Sequence, residues 1–401
     1  MDTQLANLDP ATPFDAPSAG GPATTVADGV ALLRIGFVNV FLVGAEGCGD
    51  REWVLVDAGL PGSAGRIRHA VAARFGPGVR PRCIVLTHAH FDHVGALETL
   101  AREWDCEIWA HQLELPFLTG RSSYPPFDPT VGGGAMARMS PLYPRGPLHL
   151  SGRTRALPAD GSLPGMPGWR WIHTPGHTPG HVSLFRDEDR VLVAGDAVVT
   201  TKQESMLAAL TQRPEMHGPP AYATPDWPAA HRSVQAIAEL APRVLATGHG
   251  RVLEGDAVPQ GLELLSRDFW AVAVPEQGRY VAEPALFDAD GVVHVPPPVR
   301  DDALIAAGVI GLAALAGFVA WRVLRRGDED ELLEGEEFDA GVELEAALLA
   351  GDEAYPLGSA FESEQHVPVV VDDADEARPH YGTRWGERYR IRPEMGAPEG
   401  P

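Results

Sequence analysis

Cysteine is scarce in this chain: 401 residues carry only Cys48, Cys83 and Cys106. They form no Cys-x-x-Cys pair and leave one over, which argues against a disulfide framework and for a reducing compartment. Positive charge is short too. Lys and Arg number 32 against 55 Asp and Glu, a formal net charge of −23. The imbalance is local, because 18 of the acids lie between Gly327 and Ala377, where there is no Lys or Arg, leaving 37 acids against 32 bases elsewhere. Neither part has the basic excess that nucleic-acid binding needs, so no nucleic-acid partner is expected. The first 25 residues have acids where a signal peptide needs basic residues, and no apolar core. Residues 1–28 are expected to be a disordered leader, with the folded part in the cytoplasm.

What is present begins near Gly29. Short β-branched runs (VALLRIG, VNVFLVG, EWVLVD, CIVLT) alternate with helical spacing (SAGRIRHAVAARFG, HVGALETLAREW). Further strands read WRWIHT, HVSLFR, RVLVAGD and RVLATGHG, with a helix over DWPAAHRSVQAIAELA. The order predicts an α/β domain or a layered αββα arrangement over 29–270. Residues 113–150 are dense in Pro and Gly and hold Tyr124, Phe127, Met136, Met139 and Tyr143. An irregular insertion of that length predicts a lid or pocket loop. Residues 271–302, with VPPPV, are expected to be an extended linker.

Residues 303–321 (ALIAAGVIGLAALAGFVAW) carry no charge and no Pro, and Arg322, Arg325 and Arg326 follow. Nineteen such residues predict a transmembrane helix and membrane association. The arginines and the leader disagree on orientation; the cytoplasmic face is expected for the domain, since folded domains seldom cross N-terminus first. Residues 322–401 read as an acidic, mostly disordered tail with a basic, aromatic end.

Chemistry concentrates at THAHFDHVG, residues 87–95. His and carboxylate are ligand types for zinc and other borderline divalent metals. His88 and His90 leave a strand two residues apart, so both rings can face one ion; Asp92 and His93 could face a second. Three further ligand-type residues stand at strand ends: His177 in HTPGHTPGH, Asp196 in VLVAGD and His249 in VLATGH. His111, His217 and His231 lack such a pattern and read as structural or surface residues; His173 reads as a strand residue and His181 as a neighbour of the pocket.

The set THAHFDH, TPGHT, AGDA and TGHG, with DAG upstream, resembles the metallo-β-lactamase superfamily, and its glyoxalase II-like and lactonase-like hydrolases most. The resemblance covers about residues 29–270. It implies an αββα sandwich with a dinuclear site at the sheet edge. By that pattern His88, His90 and His177 hold one metal, Asp92, His93 and His249 the other, and Asp196 bridges them. Asp57, in LVDAG, would orient a ligand His. Tyr124, Lys202 and Tyr222 are candidates for the substrate pocket.

The function this implies is a metal-dependent hydrolase with two divalent ions, zinc before Fe or Mn. Water shared by two ions is acidified towards neutrality. It would attack an ester, thioester or lactone of a small molecule, with Asp92 as catalytic proton shuttle. Two alternatives stand: a mononuclear iron enzyme resembling persulfide dioxygenases, and a membrane-tethered binding or scaffold module with a vestigial site. The substrate and the oligomeric state are not legible.

Overall fold

The computed structural model describes residues 12–13 and 21–299. The expected membrane segment 303–321 and the tail 322–401 lie outside the described residues. Among those described, no helix is long and apolar enough to cross a membrane.

The strands, in chain order, are β1 (Thr12–Pro13), β2 (Thr24–Ala27), β3 (Val30–Ile35), β4 (Val38–Val43), β5 (Val54–Val56), β6 (Cys83–Val85), β7 (Glu107–Ala110), β8 (Thr154–Ala156), β9 (Trp169–His173), β10 (Val182–Arg186), β11 (Val191–Val193), β12 (Val244–Ala246) and β13 (Leu253–Glu254). Strands β2 to β8 form a seven-stranded sheet in sequence order. It is antiparallel up to β5 and parallel from there to β8. The second sheet runs β1-β13-β12-β11-β10-β9, and β11 and β12 are its parallel pair.

Alternation along the strands builds the layers. Val30, Leu32, Phe41 and Val43 of the first sheet cluster with Val182, Leu184, Val191 and Val193 of the second, which makes a core between the sheets. The intervening residues, such as Leu33, Leu42, Phe185 and Leu192, belong to a second cluster that contains the helices. Strands β3 to β6 and β11 expose neither face to water, hence their continuous apolar runs. Burying each such side chain is worth roughly 1.5–3 kcal/mol.

Helix α1 (Ala64–Phe75) covers the first sheet, where Trp53 stacks on Phe75 at 4.7 Å. The expected helix after Asp92 is broken into α2 (Phe91–Val94) and α3 (Leu97–Glu103). The break follows from Gly95, whose added Cβ would lie 2.1 Å from Pro61 N; the chain there is pressed against the DAGLPG loop. Then come α4 (Leu115–Leu118), α5 (Ala135–Met139), α6 (Met206–Thr211), α7 (Trp227–Glu239) and α8 (Ala257–Val272). Asp226 caps α7 by accepting from Ala229 N at 2.9 Å. Ser233 on α7 donates to Pro175 O at 2.6 Å, docking the helix on the loop after β9. Buried Val258, Leu262, Leu265 and Phe269 give α8 its packed face, and Phe269 meets Trp227. Together these are the α, β, β and α layers expected.

Two boundaries differ from the sequence reading. The leader 1–28 already contains β2 and the two residues of β1, paired with Leu253 and Glu254. The extended linker over 271–302 is also incorrect for its described part. Residues 279–282 form a short helix, α9 (Arg279–Ala282), and 286–294 a hairpin of β14 (Leu286–Asp288) and β15 (Gly291–His294). This segment straps down the 113–150 insertion: Tyr280 donates to Pro126 O at 2.6 Å and Val292 N to Ser122 Oγ at 3.1 Å. The Asp-Gly turn within FDADGVVH was the available signal, and the neighbouring prolines obscured it.

Candidate metal centre

The ligand candidates all leave the C-terminal ends of strands. His88 and His90 follow β6, Asp92 and His93 lie in α2, and His177 sits in the β9–β10 loop. Asp196 follows β11 and His249 follows β12. C-terminal strand edges are where side chains from separate loops converge on a ligand in open α/β sheets. Here all seven are at most 6% exposed.

Their donor atoms meet in three overlapping groups, each within 4.8 Å: His88, His90 and His177; His88, His93 and Asp196; Asp92, His93 and His249. Asp196 Oδ2 is the common point, 3.1 Å from His249 Nε2, 3.4 Å from His177 Nε2 and 3.6 Å from His93 Nε2. Asp92 Oδ2 lies 3.4 Å from His249 Nε2, and His90 Nδ1 lies 2.9 Å from His177 Nε2.

Hydrogen bonds behind the rings fix which nitrogen is free. Asp57 Oδ2 accepts from His93 Nδ1 at 2.8 Å, and Phe37 O accepts from His249 Nδ1 at 2.9 Å. The Thr87 hydroxyl donates to Asp57 Oδ2 at 2.8 Å, so it can accept from His88 Nδ1 at 3.1 Å. In all three rings Nε2 is left as a lone pair, the form that binds metal. Asp57 holds its place at φ +61°, its other oxygen accepting from Thr87 N at 2.8 Å. His181 has a comparable supporting place: its Nε2 accepts from Asp196 N at 2.9 Å.

The donor set fits cations. His88 Nε2, His93 Nε2, His177 Nδ1 and Asp196 Oδ1 are buried without a hydrogen-bond partner. Each such atom costs on the order of 1–3 kcal/mol, and a cation at the Nε2 atoms of His88 and His93 would satisfy two of them. Titration agrees. Burial, reinforced by neighbouring imidazoles, holds His88 and His177 well below the usual histidine range and lowers His90 to about 3. Burial opposes the charged form of His93 as well, but Asp196, Asp57 and Asp92 outweigh it and raise that ring. Burial would also raise Asp196, yet His249 and His93 keep it well below the usual carboxylate range.

A small cavity opens onto this cluster. Its polar floor is His90, Asp92, His177, Asp196 and His249; Phe91, Phe127, Pro220, Tyr222 and Ala223 make the walls. Of the three expected pocket residues only Tyr222 is there. Tyr124 is 3% exposed and stands behind His90, its ring 4.5 Å away and its hydroxyl on Glu114. Lys202 lies in the turn before α6 and does not line the cavity. The insertion contributes Phe127, supporting its reading as a pocket element, while Phe91 and Pro220 carried no sequence signal. Three further histidines have structural partners: His173 meets Pro179 O at 2.8 Å, His231 meets Ser266 O at 2.9 Å, and His111 stacks on His173.

Residues 33–249 match the family described as the Metallo-beta-lactamase superfamily. The chain is 47% identical over 235 residues to "Probable metallo-hydrolase YflN" of Bacillus subtilis, covering 59% of this chain and 89% of that one. It is 29% identical over 119 residues to hydroxyacylglutathione hydrolase GloC of Haemophilus influenzae, covering 29% of this chain and 50% of that one. Among solved structures it is similar to an archaeal superfamily protein from Sulfolobus tokodaii, with 19% identity and a TM-score of 0.41 over 61% of this chain and 87% of that one. The family match spans every strand-end ligand from His88 to His249, and on that ground the chain belongs to the metallo-beta-lactamase superfamily, as a metallo-hydrolase of that fold.

Proposed function

We propose that the chain hydrolyses an ester, thioester or lactone of a small molecule, using two zinc ions. His88, His90 and His177 would hold one ion and Asp92, His93 and His249 the other. The observation that carries this reading is Asp196 Oδ2, which lies within 3.6 Å of ring nitrogens from both sets and so suits a shared carboxylate. Two bound divalent ions supply Lewis acidity towards a carbonyl oxygen and bring the pKa of water near neutrality.

The chain's own groups do the rest. Asp92 lies at the cavity floor, where its carboxylate would be placed to take a proton and return it to a leaving group. Burial, with Asp92 next, raises the Tyr222 hydroxyl well above its ordinary range, which keeps it a donor towards a substrate carbonyl. The apolar walls carry no Lys or Arg, which favours a neutral acyl group over a phosphodiester.

His88→Ala and Asp196→Ala should each lose metal and turnover together; full metal content with full turnover in either would sink the assignment. Tyr222→Phe should keep its metal and lose about 10²-fold in turnover, the scale of one carbonyl-polarising donor. Unchanged turnover would remove Tyr222 from the chemistry. The mononuclear iron alternative uses one ligand set only, and the convergence of Asp92 and His249 at 3.4 Å favours two. We also propose, from sequence alone, that 303–321 holds the domain at the cytoplasmic face of a membrane. Detergent-independent solubility of the full chain would contradict it.

A further inference from the structure

Glu114 is fully buried, pairs with no Lys or Arg among the described residues, and does not line the cavity above the metal centre. A carboxylate is expensive to bury unless its oxygens are fully hydrogen-bonded. Here they are. Oε2 accepts from Ala89 N at 3.0 Å and from the Tyr124 hydroxyl. Oε1 accepts from Thr178 Oγ1 at 2.7 Å and from Gly180 N at 2.8 Å. Ala89 lies between His88 and His90; Thr178 follows His177 directly. One carboxylate therefore joins the two loops that bring three imidazoles to one point. The fit is close, since a Cβ on Gly180 would lie 2.8 Å from both Glu114 Cγ and Glu114 N.

We infer that Glu114 is a positioning residue for the ion site made by His88, His90 and His177: it touches none of their rings and fixes the backbone that carries them. The inference rests on the metal-centre reading above. Its chemistry is specific to a carboxylate. Each oxygen faces one backbone N–H, a group that can only donate. Glutamine has nearly the same shape, but either orientation of its amide sets an NH2 against one of those N–H groups. Glu114→Gln should therefore release one of the two loops without opening a cavity. Supports of this kind, one step removed from the metal, typically change affinity by 10–100-fold.

The test is zinc titration of the metal-stripped full chain against a chromophoric chelator, in two backgrounds. In His249→Ala, which damages only the other ion site, adding Glu114→Gln should weaken the remaining ion at least about tenfold. In His177→Ala, adding Glu114→Gln should weaken the remaining ion by no more than about threefold: that site shares the Ala89 stretch, but its Asp92 and His93 lie in α2, where His93 O accepts from Ala58 N at 2.7 Å and His93 Nδ1 donates to Asp57 at 2.8 Å, and His249 lies on another loop. Equal losses in both backgrounds would mean general destabilisation and would overturn the inference, as would no loss in either. A parent chain that binds fewer than two ions would instead remove the metal-centre reading, and the inference with it. If Glu114→Gln does not fold, Tyr124→Phe keeps the ring and removes one donor. It should weaken the same ion about threefold in the His249→Ala background only, and an unchanged affinity would likewise overturn the inference.

Discussion

At Gly248 the sequence and the site meet within one atom's width. An added Cβ would lie 2.0 Å from Asp196 Oδ1 and 2.8 Å from His93 Cε1, so the glycine of TGHG is where the Asp196 carboxylate needs room. Its main chain is also engaged: Gly248 N donates to Gly195 O at 2.8 Å, and Gly248 O accepts from Asn39 N at 2.8 Å. Gly248→Ala should displace Asp196, giving a folded chain with depressed zinc content by metal analysis. Normal zinc content with normal turnover would show that the carboxylate is not shared as described. Residue by residue, the seven ligand candidates were legible because each is a ligand-type side chain at a strand end in a dense motif. Glu114 was not, since an isolated Glu in a Pro-rich stretch looks like any surface acid until the fold brings four donors to it. Tyr124 and Lys202 failed as pocket residues for a related reason. Position in a loop does not say which way a side chain faces, and Tyr124 faces inward onto Glu114.

At the scale of elements, the site is held by buried strand ends on one side and by the insertion on the other. Strands β6, β11 and β12 bury every residue but Val244, and their ends hold most of the ligand loops. The insertion is fixed instead by the strap at 276–294. Asp128 accepts from Thr130 N at 2.9 Å and from the backbone of Arg279, and Gln277 Nε2 donates to Thr130 O at 3.1 Å. Tyr280, 3% exposed, is its anchor. Tyr280→Ala removes a buried aromatic ring and a hydrogen bond, and should cost about 3–5 kcal/mol by urea denaturation. A loss under about 1 kcal/mol would show that the strap contributes little. A soluble fragment for assays should therefore run to residue 299 and not stop near 270. The strap escaped sequence reading because its strands have only three and four residues, too few to show a period.

For the whole molecule, the layered α/β class was legible in the alternation of apolar runs and helical spacing, and the pairing of layers followed from the motif set. Which residues face the inter-sheet core and which face the helices was not, because strands buried on both sides read as unbroken apolar runs. Net charge was legible and nearly irrelevant to the site: the formal −23 is dominated by a stretch outside the described residues, and the cavity is lined by carboxylates and imidazoles with no Lys or Arg. The site's own charge balance matters more. Two acidic side chains face five buried imidazoles, a donor set able to hold cations. Ions that bind the folded chain alone should stabilise it by about 2.7 kcal/mol at a hundredfold excess over Kd. The most direct test of this account is metal stoichiometry followed through chelation and re-addition, with ester and lactone hydrolysis measured on the same samples. Close to two zinc ions per chain, with turnover lost on stripping and restored by zinc, is the expected result. A chain that hydrolyses these substrates at full rate when stripped, or that is fully active with one ion, would contradict it.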